Sequence, residues 1–370
     1  EPFSPQEYAT FRRDERRQTY TNRPENYFTH PDELPSGVSL EEWENMDPAA
    51  QGSPEEIWLN RIGFKSNEIE NYLAGDPTNW YDQVLRKGLR QNYNVSVSGK
   101  REDLTYYTSM QYIDNQGMRE NNRYRTLRGR VNLDYEIADF LSVGTNTQFE
   151  NTNDGFLGAS VQDAVWASPW GDKYDDDGTL KWYTNTDAAS PNPFLYKMRD
   201  YYDMHRSLRS NIYGKIDLPA GFAIETRWVN RMAFGQVYGY TPSTHPNAAS
   251  AGGSGYRDES TSWDWNVDNL LTWNDTIADV HQFDVTFLYN LEKMQNWYTS
   301  SSNQTFRPNE KLIYNNIASG LSPQVDSDDD VTTGDALMGR INYRLMDRYL
   351  LTLSLRRDGY SAFGGKHPHA

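Results

Sequence analysis

The 370-residue sequence contains no cysteine, so neither a disulfide framework nor a thiolate metal site can form. No apolar run approaches the roughly 20 residues that a membrane-spanning helix needs. Basic residues are outnumbered, with 36 Lys and Arg against 52 Asp and Glu, and the net charge of -16 argues against binding a nucleic-acid backbone. The sequence also lacks a Gly-rich phosphate loop, an H-E-x-x-H motif and any other convincing catalytic constellation. We therefore expect a non-enzymatic protein without a cofactor.

Aromatic residues, in contrast, are abundant. The chain has 26 Tyr and 11 Trp, although its mean hydropathy is -0.87. Soluble proteins of such polarity rarely carry so many of these side chains, whereas the interfacial belts of membrane proteins use them.

Residues 126–149, TLRGRVNLDYEIADFLSVGTNTQF, alternate between apolar and polar side chains on both sides of a break at Ala138 and Asp139. This period of two predicts a long β-hairpin with two well-defined faces. Each face must therefore meet a different solvent.

The same alternation predicts about ten strands in the whole chain. Short and long connections alternate between them without exception, so an up-and-down sheet would carry its tight turns on one edge and its long loops on the other. This arrangement is typical of an all-β, antiparallel outer-membrane barrel. The predicted strands lie near 89–99, 104–113, 122–137, 140–152, 200–217, 222–238, 259–275, 281–298, 331–345 and 349–362.

The barrel interpretation assigns one face to lipid and the other to a polar lumen. An unpaired charge facing lipid costs roughly 2–4 kcal/mol at the bilayer midplane, so the charged set is expected to face the lumen. The lumen-facing set is Arg130, Asn132, Asp134, Arg340, Asn342, Arg344, Thr352, Ser354 and Arg356. The lipid-facing set is Val131, Leu133, Ile341, Tyr343, Leu351, Leu353 and Leu355. Aromatic residues near the tight turns suggest a girdle at the inner headgroup level, with ordinary cross-strand packing as the alternative: Tyr135, Phe140, Phe222, Tyr343 and Tyr349.

Four segments follow one another along nearly the whole chain: NWYDQVLRKG at 79–88, QNYNVSVSGKREDLTYYTSMQYIDNQGM at 91–118, YRTLRGRVNLDYEIADFLSVGTNTQF at 124–149 and GRINYRLMDRYLLTLSLRRDGYSAFG at 339–364. Together, in this order, they resemble the SusC/RagA family of TonB-dependent outer-membrane transporters. Tyr360 departs from the pattern, because the family usually has a small residue there.

The resemblance implies a 22-stranded barrel around a plug, TonB-powered import of oligosaccharides or peptides, and a SusD-like surface lipoprotein as a lid. Ten strands cannot close such a barrel, so we expect the plug, the TonB-contacting segment and the C-terminal strands to lie outside this chain. The expected surroundings are the bilayer and lipopolysaccharide of the outer membrane.

Within this frame, residues 1–88 form an extracellular loop segment with short helices that begin after Ser4 and Ser53. Residues 89–363 hold barrel strands with long extracellular loops at 153–199, 239–258 and 299–330. Residues 364–370 begin a further loop.

The largest loop, 153–199, supplies the candidate ligand-binding residues. Aromatic rings can stack on sugars, but they can equally pack the loop's own small core; the candidates are Trp166, Trp170, Trp182 and Tyr183. The stretch DKYDDDGT at 172–179 suggests calcium, although it fails the EF-hand pattern and is more simply a hairpin turn. The acidic stretch DSDDD at 326–330 is read as a solvated loop.

Two other functions remain open at this point. A SusC-like barrel that no longer transports could serve as a structural or assembly scaffold for surface proteins. A soluble carbohydrate-binding β-protein is opposed by the lipid-compatible stripes and by the sorting of short and long loops.

Overall fold

The computed structural model describes residues 4–306 and 310–363, and its main feature is one ten-stranded antiparallel sheet. The strands follow one another in sequence order, each bonded to the next, which confirms the predicted up-and-down architecture. The predicted loop start at 364–370 lies outside the described residues. The strands are β1 Leu89–Arg101, β2 Leu104–Gln116, β3 Arg123–Ala138, β4 Leu141–Asn153, β5 Asp200–Asp217, β6 Phe222–Thr241, β7 Ser254–Ile277, β8 His281–Gln304, β9 Gln324–Leu345 and β10 Tyr349–Tyr360.

Four strands extend into ranges that the sequence pattern predicts to be long loops. The loop predicted at 239–258 is confined to 242–253, and that predicted at 299–330 to 305–323, because β6, β7, β8 and β9 extend into both ranges. The acidic stretch 326–330, predicted to be a loop, belongs to β9 and pairs with β8 through register partners such as Asp330 and Asn296. Backbone hydrogen bonds hold these extensions, and both faces there are polar, so no hydrophobic alternation marks them.

The turns between consecutive strands explain the regular register on the short edge. Ala278 and Asp279, between β7 and β8, both have positive φ, and so do Met346 and Asp347, between β9 and β10. Two consecutive left-handed residues match the right-handed twist of the flanking strands and favour a tight hairpin.

Residues 4–84, here called the helical module, precede the sheet. Ser4, Ser39 and Ser53 each cap a helix through a capping box, which confirms the two predicted caps and adds a third. The helices are α1 Pro5–Thr19, α2 Leu40–Glu44, α3 Pro54–Arg61, α4 Ser66–Ala74 and α5 Trp80–Val84; α6 Val161–Trp166 lies in the 153–199 loop.

The helical module has a hydrophobic core of its own. Trp43, Leu59 and Ile62 are fully buried in it. The Arg61 guanidinium lies over the Trp43 ring at 4.0 Å and the Tyr27 ring at 4.5 Å, and it donates to the Trp43 carbonyl at 2.9 Å. The buried charge is therefore compensated by aromatic faces and by carbonyl oxygens.

The sheet has one predominantly apolar face. Directly paired residues of antiparallel strands lie on the same side of a sheet, so the register extends this face from β1 to β10. Its side chains are largely exposed, reaching 81% for Leu355. We call this surface the apolar face; it includes Val95, Met110, Val131, Leu133, Leu208, Ile212, Trp228, Leu271, Phe287, Ile341, Leu351, Leu353 and Leu355.

Candidate functional site

The opposite side of the sheet, here called the polar face, carries all the residues predicted to face a lumen. Arg340 pairs with Ser354 and Asn342 with Thr352, so these side chains lie on the other side of the sheet from the leucines of β10. The predicted residues on the polar face are Arg130, Asn132, Asp134, Arg340, Asn342, Arg344 and Arg356.

Many charges on the polar face are paired with neighbours on the same face. Arg128 contacts Glu150 at 3.0 Å, and Arg231 contacts Asp264 at 3.0 Å. Between β8 and β7, the Asn290 amide donates to Asp268 at 2.7 Å. These side chains form a hydrated, mixed-charge surface that suits the lining of a wide polar channel.

Within the apolar band, several polar side chains have partners on the same face. The Trp263 indole N–H donates to Asn230 Oδ1 at 2.8 Å, and the Thr226 hydroxyl donates to Asn269 at 3.0 Å. A polar group facing hydrocarbon without a partner is costly, so these contacts make the apolar face compatible with lipid.

From β6 to β10, the upper limit of the apolar band on this face moves down from one strand to the next. It moves from Phe234 on β6 through Trp263 on β7 and Leu291 on β8 to Leu337 on β9 and Leu355 on β10. In register, the limit descends by two residues from β6 to β7, by four from β7 to β8, and by two at each of the next two steps, as expected for strands that cross a flat hydrocarbon layer at a tilt.

A row of stacked aromatic rings marks the short-turn edge of the apolar face. Phe222 stacks on Trp273 at 6.0 Å, Trp273 on Phe283 at 5.9 Å, and Phe283 on Tyr343 at 4.9 Å between ring centroids. Two of the predicted girdle residues, Phe222 and Tyr343, belong to this row. Cross-strand packing and an interfacial position are therefore compatible here, because the same rings do both. The other three, Tyr135, Phe140 and Tyr349, are exposed.

At the long-loop edge, the 153–199 and 242–253 loops enclose a groove of about 470 Å³. It is lined by polar, aromatic and proline side chains, a composition suited to an uncharged or zwitterionic polar ligand. An adjoining depression of about 430 Å³ shares Tyr196 and Arg199 with it. We call the first the rim groove; its lining includes Ser160, Asp163, Tyr183, Tyr196, Arg199 and His245.

His245 gives the rim groove a fixed polar contact. Its side chain is buried, and its Nδ1 accepts the backbone N–H of Asn247 at 3.1 Å. Burial lowers the pKa of His245, and the nearby Arg199 guanidinium lowers it further. The imidazole is therefore neutral at pH 7, and Arg199 is the cationic side chain among the groove residues named above.

The four predicted aromatic residues do not converge on one site. Tyr183 lines the rim groove, and Trp166 and Trp182 are exposed on the loop, Trp166 at 67%. Trp170 is buried and packs on Tyr72 of α4 at 4.8 Å, so its indole stabilises the helical module and is not available to a ligand. Tyr196, Arg199 and His245 lacked any sequence signal, because their position depends on two loops that meet only in the folded chain.

The 172–179 stretch forms a turn that is bonded to the helical module. Gly178 has a φ of +82°, and Asp175 donates its backbone N–H to the Thr179 carbonyl at 2.8 Å. The ammonium of Lys181 lies 2.6 Å from Asp172 and 3.8 Å from Asp175, in the position a cation would take. Within the described ranges, no cluster of three or more His, Asp and Glu is arranged to hold a metal ion.

Asp172 also connects this loop to α4. Asn67 donates to Asp172 Oδ2 at 2.7 Å, and Asn71 donates to Oδ1 at 2.6 Å. Burial pushes the pKa of Asp172 upward, but the hydrogen bonds from Lys181, Asn71 and Asn67 outweigh it, and the pKa is lowered. The helical module is thus attached to the rim by a charged, hydrogen-bonded contact.

Across residues 4–306 and 310–363, no helix is both long and apolar enough to span a membrane.

Comparison with known proteins supplies relatives but no family model, since none matches. The chain is 25% identical over 317 residues to TonB-dependent receptor P26 of Formosa agariphila, covering 80% of this chain and 30% of the relative. It is 23% identical over 314 residues to TonB-dependent receptor SusC of Bacteroides thetaiotaomicron, covering 77% of this chain and 30% of the relative. The chain therefore spans about a third of the length of these relatives.

Among solved structures, the RagAB peptide importer in its open-open state matches with a TM-score of 0.69 and 16% identity. The match covers 96% of this chain and 40% of the importer chain, and it concerns the fold. Sequence relatives and fold agree: the chain is SusC/RagA-like, similar in sequence to TonB-dependent receptors, which are β-barrels of the outer membrane, and similar in fold to the RagAB importer.

Proposed function

We propose that this chain is part of an outer-membrane importer subunit that takes up oligosaccharides or peptides with energy delivered through TonB. The observation that carries the proposal is the pairing of a continuous polar face with an ordered, grooved rim at the long-loop edge. A simple structural wall needs neither, whereas an importer needs a hydrated path and a place where the ligand first binds.

The chemistry of the rim groove favours a ligand rich in hydrogen-bonding groups. Tyr183 and Tyr196 offer aromatic surface, and the neutral His245 and the cationic Arg199 offer polar contacts. Both a short peptide and an oligosaccharide present such groups. A solved structure with the same fold is named a peptide importer, which supports the peptide alternative.

A SusD-like lipoprotein is the proposed partner at the rim. The long loops and the helical module all emerge at the edge opposite the tight turns, and the described loops are structured by specific contacts. The Trp80 indole donates to the Ser168 carbonyl at 2.7 Å, and the Thr78 hydroxyl donates to the Gly171 carbonyl at 3.2 Å. A rigid surface of this kind suits a protein partner that opens and closes over it.

Uptake by intact cells tests the proposal. Cells with the native gene should accumulate a labelled peptide mixture or a labelled oligosaccharide mixture, and removal of TonB should abolish accumulation. Arg199→Ala should reduce uptake without changing the amount of protein in the membrane. Arg101→Ala is the matched control, because Arg101 is exposed at the opposite, tight-turn edge.

Affinity purification from solubilised outer membranes tests the partner. A lipoprotein should co-purify with the tagged protein. Point substitutions at the rim are preferable to deleting the loop, since residues 168–172 hold the helical module in place. Co-purification without TonB-dependent uptake would favour the non-transporting scaffold. Absence of any lipoprotein would contradict the lidded importer.

A further inference from the structure

Basic side chains follow the upper limit of the apolar band on its own face. On β3, Arg125 comes next above Leu127, and on β5, Arg206 comes next above Leu208. On β8, Lys293 comes next above Leu291, and on β10, Arg357 comes next above Leu355. On β7, Arg257 lies farther above the band, beside Tyr238 of β6. We call this set the basic collar: Arg125, Arg206, Arg257, Lys293 and Arg357.

Part of the basic collar is neutralised by neighbouring carboxylates on the same face. Arg257 contacts Glu259 at 3.2 Å, and Arg357 contacts Asp335 at 3.6 Å. Arg125 lies 3.7 Å from Asp114.

Arg206 and Lys293 are different. Among the described residues, the guanidinium of Arg206 has only neutral partners, Gln236 at 2.8 Å and the Tyr202 hydroxyl at 3.4 Å, and Lys293 forms no ion pair. Two cations without a carboxylate partner thus lie directly above the apolar band of a chain whose net charge is -16.

The environment of these two cations favours a bound anion. Gln236 and Tyr202 fix the Arg206 guanidinium while occupying only part of its five N–H donors. Lys293 is flanked in register by Trp265 and Thr333, neither of which can neutralise it. The apolar band begins directly below both, so the anion that meets them is joined to something that enters hydrocarbon.

We propose that the basic collar binds the phosphate groups of lipopolysaccharide, with Arg206 and Lys293 as the main contacts. Phosphates attached to acyl chains meet the required geometry, because the chains lie against the apolar face while the phosphates stand at its upper edge. Guanidinium and ammonium groups both suit phosphate, the first through directed donors and the second as a point charge. This assignment rests on the outer-membrane location and is independent of the imported substrate.

Lipid bound to the purified protein tests the proposal. The protein is extracted from outer membranes in mild detergent, and bound lipopolysaccharide is counted by native mass spectrometry. The double variant Arg206→Gln/Lys293→Gln should retain at least about tenfold less, since each lost charge weakens binding to an anionic surface by roughly fivefold. The matched control Arg130→Gln/Arg340→Gln removes two cations from the polar face and should retain lipid like the native protein.

Three further arms identify the source of the phosphate. Delipidated native protein should rebind lipopolysaccharide, should not rebind its dephosphorylated form, and should not release bound lipid to excess inorganic phosphate. Equal binding of the dephosphorylated form, or full displacement by inorganic phosphate, overturns the assignment. So does a double variant that retains native amounts of lipid. If the double variant does not assemble, the single variants are compared. Lys293→Gln should retain about fivefold less lipopolysaccharide than the native protein, and Lys293→Arg should retain the native amount. Equal amounts of bound lipid in both single variants overturn the proposal.

Discussion

The hydroxyl of Tyr213 on β5 donates to Asp134 Oδ1 on β3 at 2.6 Å, although β4 lies between these two strands. The contact is possible because Gly144 occupies the intervening position of β4 on the same face. A Cβ at Gly144 would lie 2.4 Å from the Tyr213 ring and 2.7 Å from Asp134 Oδ1. The hydrogen bond between Tyr213 and Asp134 on the polar face thus requires that position 144 has no side chain.

Gly144→Ala should therefore destabilise the sheet. The new methyl group forces the Tyr213 ring away and breaks its bond to Asp134, at a cost of about 1–3 kcal/mol in the free energy of unfolding. Gly339→Ala is the matched control, because a Cβ there meets nothing within 4 Å. Thermal unfolding followed by heat-dependent gel migration compares the two, and equal midpoints would contradict the steric account.

Trp170→Ala should loosen the helical module. Removing this buried indole from its packing against Tyr72 should cost about 3–5 kcal/mol and expose residues 4–84 to protease. Trp166→Ala removes an exposed indole of the same loop and should leave the digestion rate unchanged. Equal digestion of both variants would show that Trp170 is not a structural residue of the module.

Attachment of the helical module should weaken in acid. The pKa of Asp172 is lowered in the folded chain, so its contribution is present above the ordinary Asp pKa of about 3.9 and is lost as pH falls through the lower folded value. Hydrogen exchange of α4 should rise in this window. In Asp172→Asn the carboxylate is absent, so this part of the pH dependence should disappear; an unchanged profile would rule out Asp172 as its source.

Neighbouring residues of β10 should tolerate charge very differently. Leu353→Arg places a guanidinium on the apolar face, which should cost about 2–4 kcal/mol in the free energy of membrane assembly if the residue lies near the midplane. Ser354→Arg places the same group on the polar face beside Arg340, and assembly should continue, with some weakening from like charge. The amount of each variant in the outer-membrane fraction is the measurement, and similar amounts would contradict the assignment of the faces.

The sheet could be predicted because lipid and water impose a period of two on the sequence. This signal ends where the strands leave hydrocarbon. Asp326 and Asp330 look like loop residues, since both faces of β9 are polar there, yet backbone pairing with β8 extends the strand through them. The contact of Tyr213 with Asp134 past Gly144 involves three strands, so no pattern within one strand predicts it.

The candidate site was much less predictable than the sheet. Trp166, Trp170, Trp182 and Tyr183 are equally aromatic in sequence, and only their burial separates the packing residue Trp170 from the groove residue Tyr183. Arg199 and His245 are 46 positions apart and lie on different loops, so no local pattern could join them.

The most direct test of the membrane account is an accessibility scan along β10. The chain has no cysteine, so single cysteines at positions 350–355 can be labelled with an environment-sensitive fluorophore without background from residues 1–370. The account predicts quenching by brominated lipid at 351, 353 and 355, and quenching by aqueous iodide at 350, 352 and 354. Quenching without this alternation, or with the two sets exchanged, would contradict it.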